Sequence, residues 1–105
     1  MNDTVLDIGG PIRVREYGGD GPLILLVHGL GGSTENWDVT GPLLTERGTV
    51  TALDLVGFGE SIPGDRRPSV EENGRVVAEV IDALGFDAAT LVGNSMGGLV
   101  SMLAA

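Results

Sequence analysis

Three apolar runs, each ending at a turn rich in glycine, constrain this chain more than any other feature. Residues 22–27 (Pro-Leu-Ile-Leu-Leu-Val) are apolar without alternation, 49–55 (Thr-Val-Thr-Ala-Leu-Asp-Leu) form a second run rich in β-branched residues, and Thr90-Leu91-Val92 is a shorter third run. A strand that alternates shows one face to water, whereas one that does not must be covered on both faces. That is the condition of a strand inside a parallel sheet flanked by helices. Helix signals fall between and after the runs. Ser33 or Thr34 can cap a helix through Trp37, Leu43 and Leu44, interrupted at Gly41-Pro42 and closing at Gly48. Ser69-x-x-Glu72 reads as a capping box; Val70, Val77, Val80, Ile81 and Leu84 share one face, with Val76 beside them and Gly85 where the helix should stop. A last helix opens near Met96 and still runs at Ala105, with no terminating Gly or Pro. The expectation is that residues 1–105 are the N-terminal portion of one longer domain, cut within this helix.

Ahead of these units, residues 5–8 and 12–17 flank Gly9-Gly10-Pro11, and the second run alternates at period two. This predicts a hairpin, and its polar face predicts a peripheral antiparallel pair. The fold class is therefore α/β: a mostly parallel sheet preceded by an antiparallel hairpin, with helices on both faces.

Composition narrows the chemistry. Six Arg and no Lys face fifteen acidic residues, for a net charge of −9, which repels phosphate backbones and anionic lipid and argues against nucleic acid or membrane-surface partners. No apolar stretch approaches the ~20 residues of a membrane span. The acidic start, Met1-Asn2-Asp3-Thr4, leads into no long apolar core, so no signal peptide is expected and a cytoplasmic location follows by default. The absence of Cys and Lys removes disulfides, thiolate sites, Schiff bases and a P-loop lysine. A single His excludes any site that needs two, and neither metal nor organic cofactor is expected.

Glycine is unusually frequent, 18 of 105 residues, and clustered. Two clusters follow buried strands: His28-Gly29-Leu30-Gly31-Gly32 and Gly93-Asn94-Ser95-Met96-Gly97-Gly98. Ligands of open parallel sheets bind beyond the carboxyl ends of the strands, where both clusters fall. The second matches Gly-x-Ser-x-Gly, in which a serine on a cramped strand-to-helix turn has its hydroxyl lifted clear of the sheet. Neighbouring backbone then comes so close that Gly93 and Gly97 can carry no side chain. A nucleophilic serine needs two backbone donors aimed at a developing oxyanion. The residue after it, Met96, supplies one, and the Leu30 N–H is the candidate for the other.

At this point the chain resembles the α/β-hydrolase family, through His28-Gly29-Leu30-Gly31-Gly32, Asp54-Leu55-Val56-Gly57-Phe58-Gly59-Glu60-Ser61 and Gly93-Asn94-Ser95-Met96-Gly97-Gly98, in family order. The resemblance implies Ser95 as nucleophile, Leu30 and Met96 as oxyanion donors, and His28 with Gly29 bracing the oxyanion loop. It implies that Asp54 organises the 57–61 turn. It also implies a triad acid and histidine beyond Ala105, so that these residues alone are inactive. Serine, in place of Asp or Cys at the elbow, leaves acyl transfer from a small acyl or carbonyl substrate to water. Esters, lipids, thioesters and amides qualify, as does carbon–carbon cleavage of vinylogous diketones. Because the strand before Ser95 lies inside the family's sheet, the piece is expected to need a complementing chain or a homo-oligomer. Trp37 and Met102 are expected in the core and Arg66-Arg67 as a solvated loop pair. Two other readings stay open: a non-catalytic binding protein of the same fold, and a dinucleotide-binding domain built on Gly29-x-Gly31 and Asp54. The latter lacks its third glycine, because Thr34 stands there.

Overall fold

The computed structural model describes residues 1–105. Strands β1 (Asn2–Asp7) and β2 (Pro11–Gly18) form an antiparallel hairpin. Then come β3 (Leu23–Val27), a short 3-10 turn (Thr34–Trp37), α1 (Thr40–Leu43), β4 (Thr49–Leu53), α2 (Val70–Ala83), β5 (Ala89–Gly93) and α3 (Met96–Ala104). The five strands make one sheet in the order β1-β2-β4-β3-β5. β2 runs antiparallel to β4, whereas β3 runs parallel to both β4 and β5. Val27 pairs in register with Leu53 on one side and Gly93 on the other, so the three parallel strands end level and release their loops at one edge.

β3 explains its own lack of alternation. Leu23, Leu25 and Val27 join Ile12, Val14 and Leu53 on one face of the sheet, packed against Val76, Val77 and Val80 of α2 and Val100 of α3. Leu26 points the other way and meets Val50 and Ala52, with Trp37, Leu44 and Tyr17 packed against them. Helices therefore cover both faces, and the fold class is α/β as expected.

α2 begins and ends as its sequence predicts, with one exception. Ser69 Oγ accepts the Glu72 N–H at 3.1 Å, but the Glu72 carboxylate pairs with Arg75 and does not return to the cap. At the other end Gly85 adopts φ +87°, its N–H donates to Asp82 O, and the Phe86 N–H donates to Ile81 O. These are the two bonds of a Schellman stop.

Several expectations are corrected. The segment 34–48 is not one interrupted helix but a 3-10 turn capped by Ser33, followed by the single turn α1. Gly41 sits so close under the Tyr17 ring that a Cβ there would lie 2.6 Å from a ring carbon, and Pro42 brings no N–H to a longer helix. The second strand stops at Leu53, not Leu55. The hairpin is only half peripheral: β1 is an edge, but β2 lies inside the sheet. Met102 is 76% exposed, because α3 buries Gly97, Val100 and Ser101, a face that Met102 does not share. Trp37 is half-buried against the second core. Arg67 is exposed as expected, but Arg66 is half-buried and anchored: its guanidinium donates to the carbonyls of Ile8, Pro11 and Ile62 and ties the 57–68 loop to the hairpin. No helix is long and apolar enough to cross a membrane.

Candidate active site

The loop after β3 opens with His28, whose side chain is fully buried. The Leu55 N–H donates to Nε2 at 2.9 Å, which leaves the proton on Nδ1, and Nδ1 donates to the Gly29 carbonyl at 2.7 Å. Burial holds the imidazole pKa below its ordinary value, against the opposing effects of the Gly29 carbonyl and Asp54. Phe58 packs edge-on against the ring at 5.3 Å. Both nitrogens are thus committed, and His28 bolts the loop after β3 to the loop after β4.

Residues 29–32 then form a tight turn closed by Gly32 N–H to Gly29 O at 3.0 Å, with Gly31 at φ +75°. A positive φ at the third position marks a type II turn, in which Leu30 occupies the first corner. The Leu30 side chain is exposed, and its amide has no hydrogen-bond acceptor.

The second turn is held against the first. Beyond Gly93, the Asn94 N–H donates to Val27 O at 3.1 Å. Ser95 follows at φ 56°, ψ −118°, the sole non-glycine residue with positive φ. Such a conformation costs about 1–3 kcal/mol and persists only where its surroundings enforce it. Here the surroundings are backbone. A Cβ on Gly93 would lie 2.5 Å from Gly97 O, and one on Gly97 would collide with the carbonyls of Val27 and His28. On the β3 side, a Cβ on Gly29 would lie 2.9 Å from Asn94 O and 3.2 Å from Ser95 Cβ. The result is an exposed serine side chain at the start of α3, with Gly29 directly beside it. The Met96 amide, first in the helix, also has no acceptor. Serine hydroxyl, helix N-terminus and two unpaired amides on abutting turns form an arrangement suited to a carbonyl that gains negative charge.

Asp54 lies behind these turns, fully buried. Its Oδ2 accepts the Glu60 N–H at 2.8 Å and Arg13 Nε at 2.7 Å, while Oδ1 accepts the Thr34 N–H at 2.7 Å. It thus serves the 57–61 turn and, in addition, the segment after Gly32. With both oxygens engaged by protein donors, Asp54 is not free to meet a ribose hydroxyl, the role that the dinucleotide reading gave it. The residue missed by sequence reasoning is Arg13, a buried guanidinium that also pairs with Glu60 and Glu35 at 2.8 Å each. Burial alone would lower its pKa, but hydrogen bonds to Asp54 and Glu35 outweigh burial and raise it. The Ser33 hydroxyl and then Arg13 hold Glu35 down at about 2. The available signal was the spacing Arg13, Arg15, Tyr17 along one strand face.

The chain belongs to the alpha/beta hydrolase fold family, whose model matches residues 22–105. The dihydrolipoyllysine-residue acetyltransferase component of the acetoin cleaving system of Pseudomonas putida is 42% identical over 99 residues, 91% of this chain and 26% of that protein. A 2-hydroxy-6-oxo-6-(2'-aminophenyl)hexa-2,4-dienoic acid hydrolase of Metapseudomonas resinovorans is 34% identical over 88 residues, 80% of this chain and 30% of that protein. Among solved structures, a membrane phospholipase A described as a bacterial virulence factor superposes with a TM-score of 0.89 at 37% identity, over 97% of this chain and 34% of that one. The chain therefore spans between a quarter and about a third of the length of these relatives.

Proposed function

We propose that the complete protein is a serine hydrolase that transfers an acyl group from a small acyl or carbonyl substrate to water. Ser95 Oγ attacks the substrate carbonyl, and the amides of Leu30 and Met96 receive the resulting oxyanion. The observation that carries this reading is the forced backbone of Ser95, wedged by Gly93 and Gly97 beside the Gly29 turn. Family relatives that are hydrolases support it. The proton acceptor for Ser95 is not His28, which is buried and bonded through both nitrogens. The histidine and its orienting acid come from polypeptide outside these residues. Loss of the histidine alone costs about 10⁶ in kcat in the subtilisin precedent, so residues 1–105 by themselves are expected to show no useful turnover. A fluorophosphonate probe tests the assignment on the complete protein. One adduct on Ser95, absent in Ser95→Ala, is the expected result; a folded protein that takes up no probe at Ser95 refutes it.

A further inference from the structure

We propose that the polar face of β2 is a clamp that aims the Leu30 amide, with Arg13 as its central positioning residue; this rests on the reading of Ser95 and Leu30 above. The turn that presents Leu30 contains Gly29, Gly31 and Gly32, and such backbone is intrinsically soft. An amide that must hold a fixed direction on a soft turn needs both ends tied. His28 ties the upstream end through Gly29 O. Downstream, the segment 33–38 is tied to β2 by side chains at alternate positions.

Arg13 Nε and Nη2 reach Asp54 and Glu35 at 2.7 and 2.8 Å, and Asp54 in turn accepts the Thr34 N–H, two residues past Gly32. Arg15 bonds Asp38 at 3.1 Å and Glu35 at 3.2 Å. The Tyr17 hydroxyl donates to Asp38 Oδ1 at 2.8 Å, with the Thr34 carbonyl at 3.0 Å. One face of one strand therefore holds Thr34, Glu35 and Asp38 of the segment that leaves the turn. Charge makes the arrangement sensitive: the two arginines serve Asp3, Glu35, Asp38, Asp54 and Glu60. Weakening one arginine leaves carboxylates facing each other, and the segment moves outward with the turn attached to it. A planar guanidinium meets three acceptors at once, a task that the point charge of a lysine does not perform.

The test uses the complete protein with Arg13→Lys, and Glu35→Gln as a milder change at a half-exposed carboxylate. Two readouts are taken: amide hydrogen exchange at Gly32 and Thr34, and kcat and KM on p-nitrophenyl acetate per site titrated with a fluorophosphonate. Exchange at both amides is expected to rise about tenfold or more, while α2 stays unchanged. Because a misdirected oxyanion donor loses transition-state stabilisation, kcat per titrated site should fall roughly 10- to 100-fold with KM within about twofold. Arg75→Gln, on an exposed helix face, should leave both readouts at wild-type values. A merely structural role would lower the melting temperature and leave kcat per titrated site intact, and that result overturns the clamp. Unchanged exchange in both variants also overturns it. A wild-type protein that neither hydrolyses the ester nor labels at Ser95 overturns the serine reading instead, and the aiming role falls with it.

Discussion

Two adjacent glycines should respond to the same substitution with opposite signs. A Cβ on Gly97 would lie 2.8 Å from the Val27 carbonyl carbon and closer still to the oxygens of Val27 and His28. None of these is a side chain that can rotate away. Restoring ordinary spacing demands that α3 retreat from β3 by about 1 Å, at a cost near the upper end for overpacking, about 2–4 kcal/mol. Next to it, a Cβ on Gly98 would find nothing nearer than Gly93 O at 4.0 Å, in ordinary helical backbone with no positive φ. Gly98→Ala therefore loses only unfolded-state freedom and should stabilise by about 0.4–1 kcal/mol. Urea unfolding of the complete protein, read as the change in midpoint at constant m-value, separates the two. Fluorophosphonate labelling should disappear in Gly97→Ala and persist in Gly98→Ala. Equal stability of Gly97→Ala and wild type would refute the argument that backbone contact with β3 forces the serine turn. Equal damage from both substitutions would refute it too.

Three further outcomes are expected. Leu30→Pro deletes the proposed oxyanion donor at a type II corner where Pro is a preferred residue, so the protein should fold while kcat falls about 10²–10³-fold; a variant with full kcat would exclude the Leu30 amide from the reaction. Ser95→Gly should gain about 1 kcal/mol or more in urea unfolding as strain at φ 56° is relieved, and labelling should vanish. His28 has a folded pKa below its unfolded value of about 6.5. Its contribution to stability is thus complete above that pH and is lost as the pH falls through the window beneath it. Unfolding midpoints at about pH 5 and 7.5 should differ less in His28→Gln than in wild type, with the Glu35 contribution confined to the lower window between 4.5 and about 2.

The parallel core was readable because burial on two faces leaves a one-dimensional trace: β3 lacks alternation since Leu25 and Leu26 are buried on opposite faces. The serine turn was readable because glycines are forced at Gly93 and Gly97 by backbone proximity, which no other residue type satisfies. Arg13, Arg15 and Tyr17 behaved differently. Alternation states only that these side chains lie on the face opposite Ile12 and Val14; whether they meet water or carboxylates depends on which loop comes to lie over them. That loop is placed by the turn after β3, far away in sequence. Met102 failed for a related reason, since an apolar helix offers several faces and the glycines of α3, not its larger residues, decide which one docks. Arg66 satisfies carbonyls of the distant hairpin, and nothing near it in sequence announces them.

The abutment of Gly29 on Ser95 and the bond from Asn94 to Val27 make the two loops a mortise and tenon. Neither can be transplanted alone: grafting the serine pentapeptide onto another parallel sheet would bring the hydroxyl without the recess that receives it. A successful graft would have to carry β3 with the turn 28–32, the end of β5 with Asn94, and the start of α3 as a single block. The same interlock limits drift, because a side chain acquired at Gly29 would dislodge a residue more than sixty positions downstream.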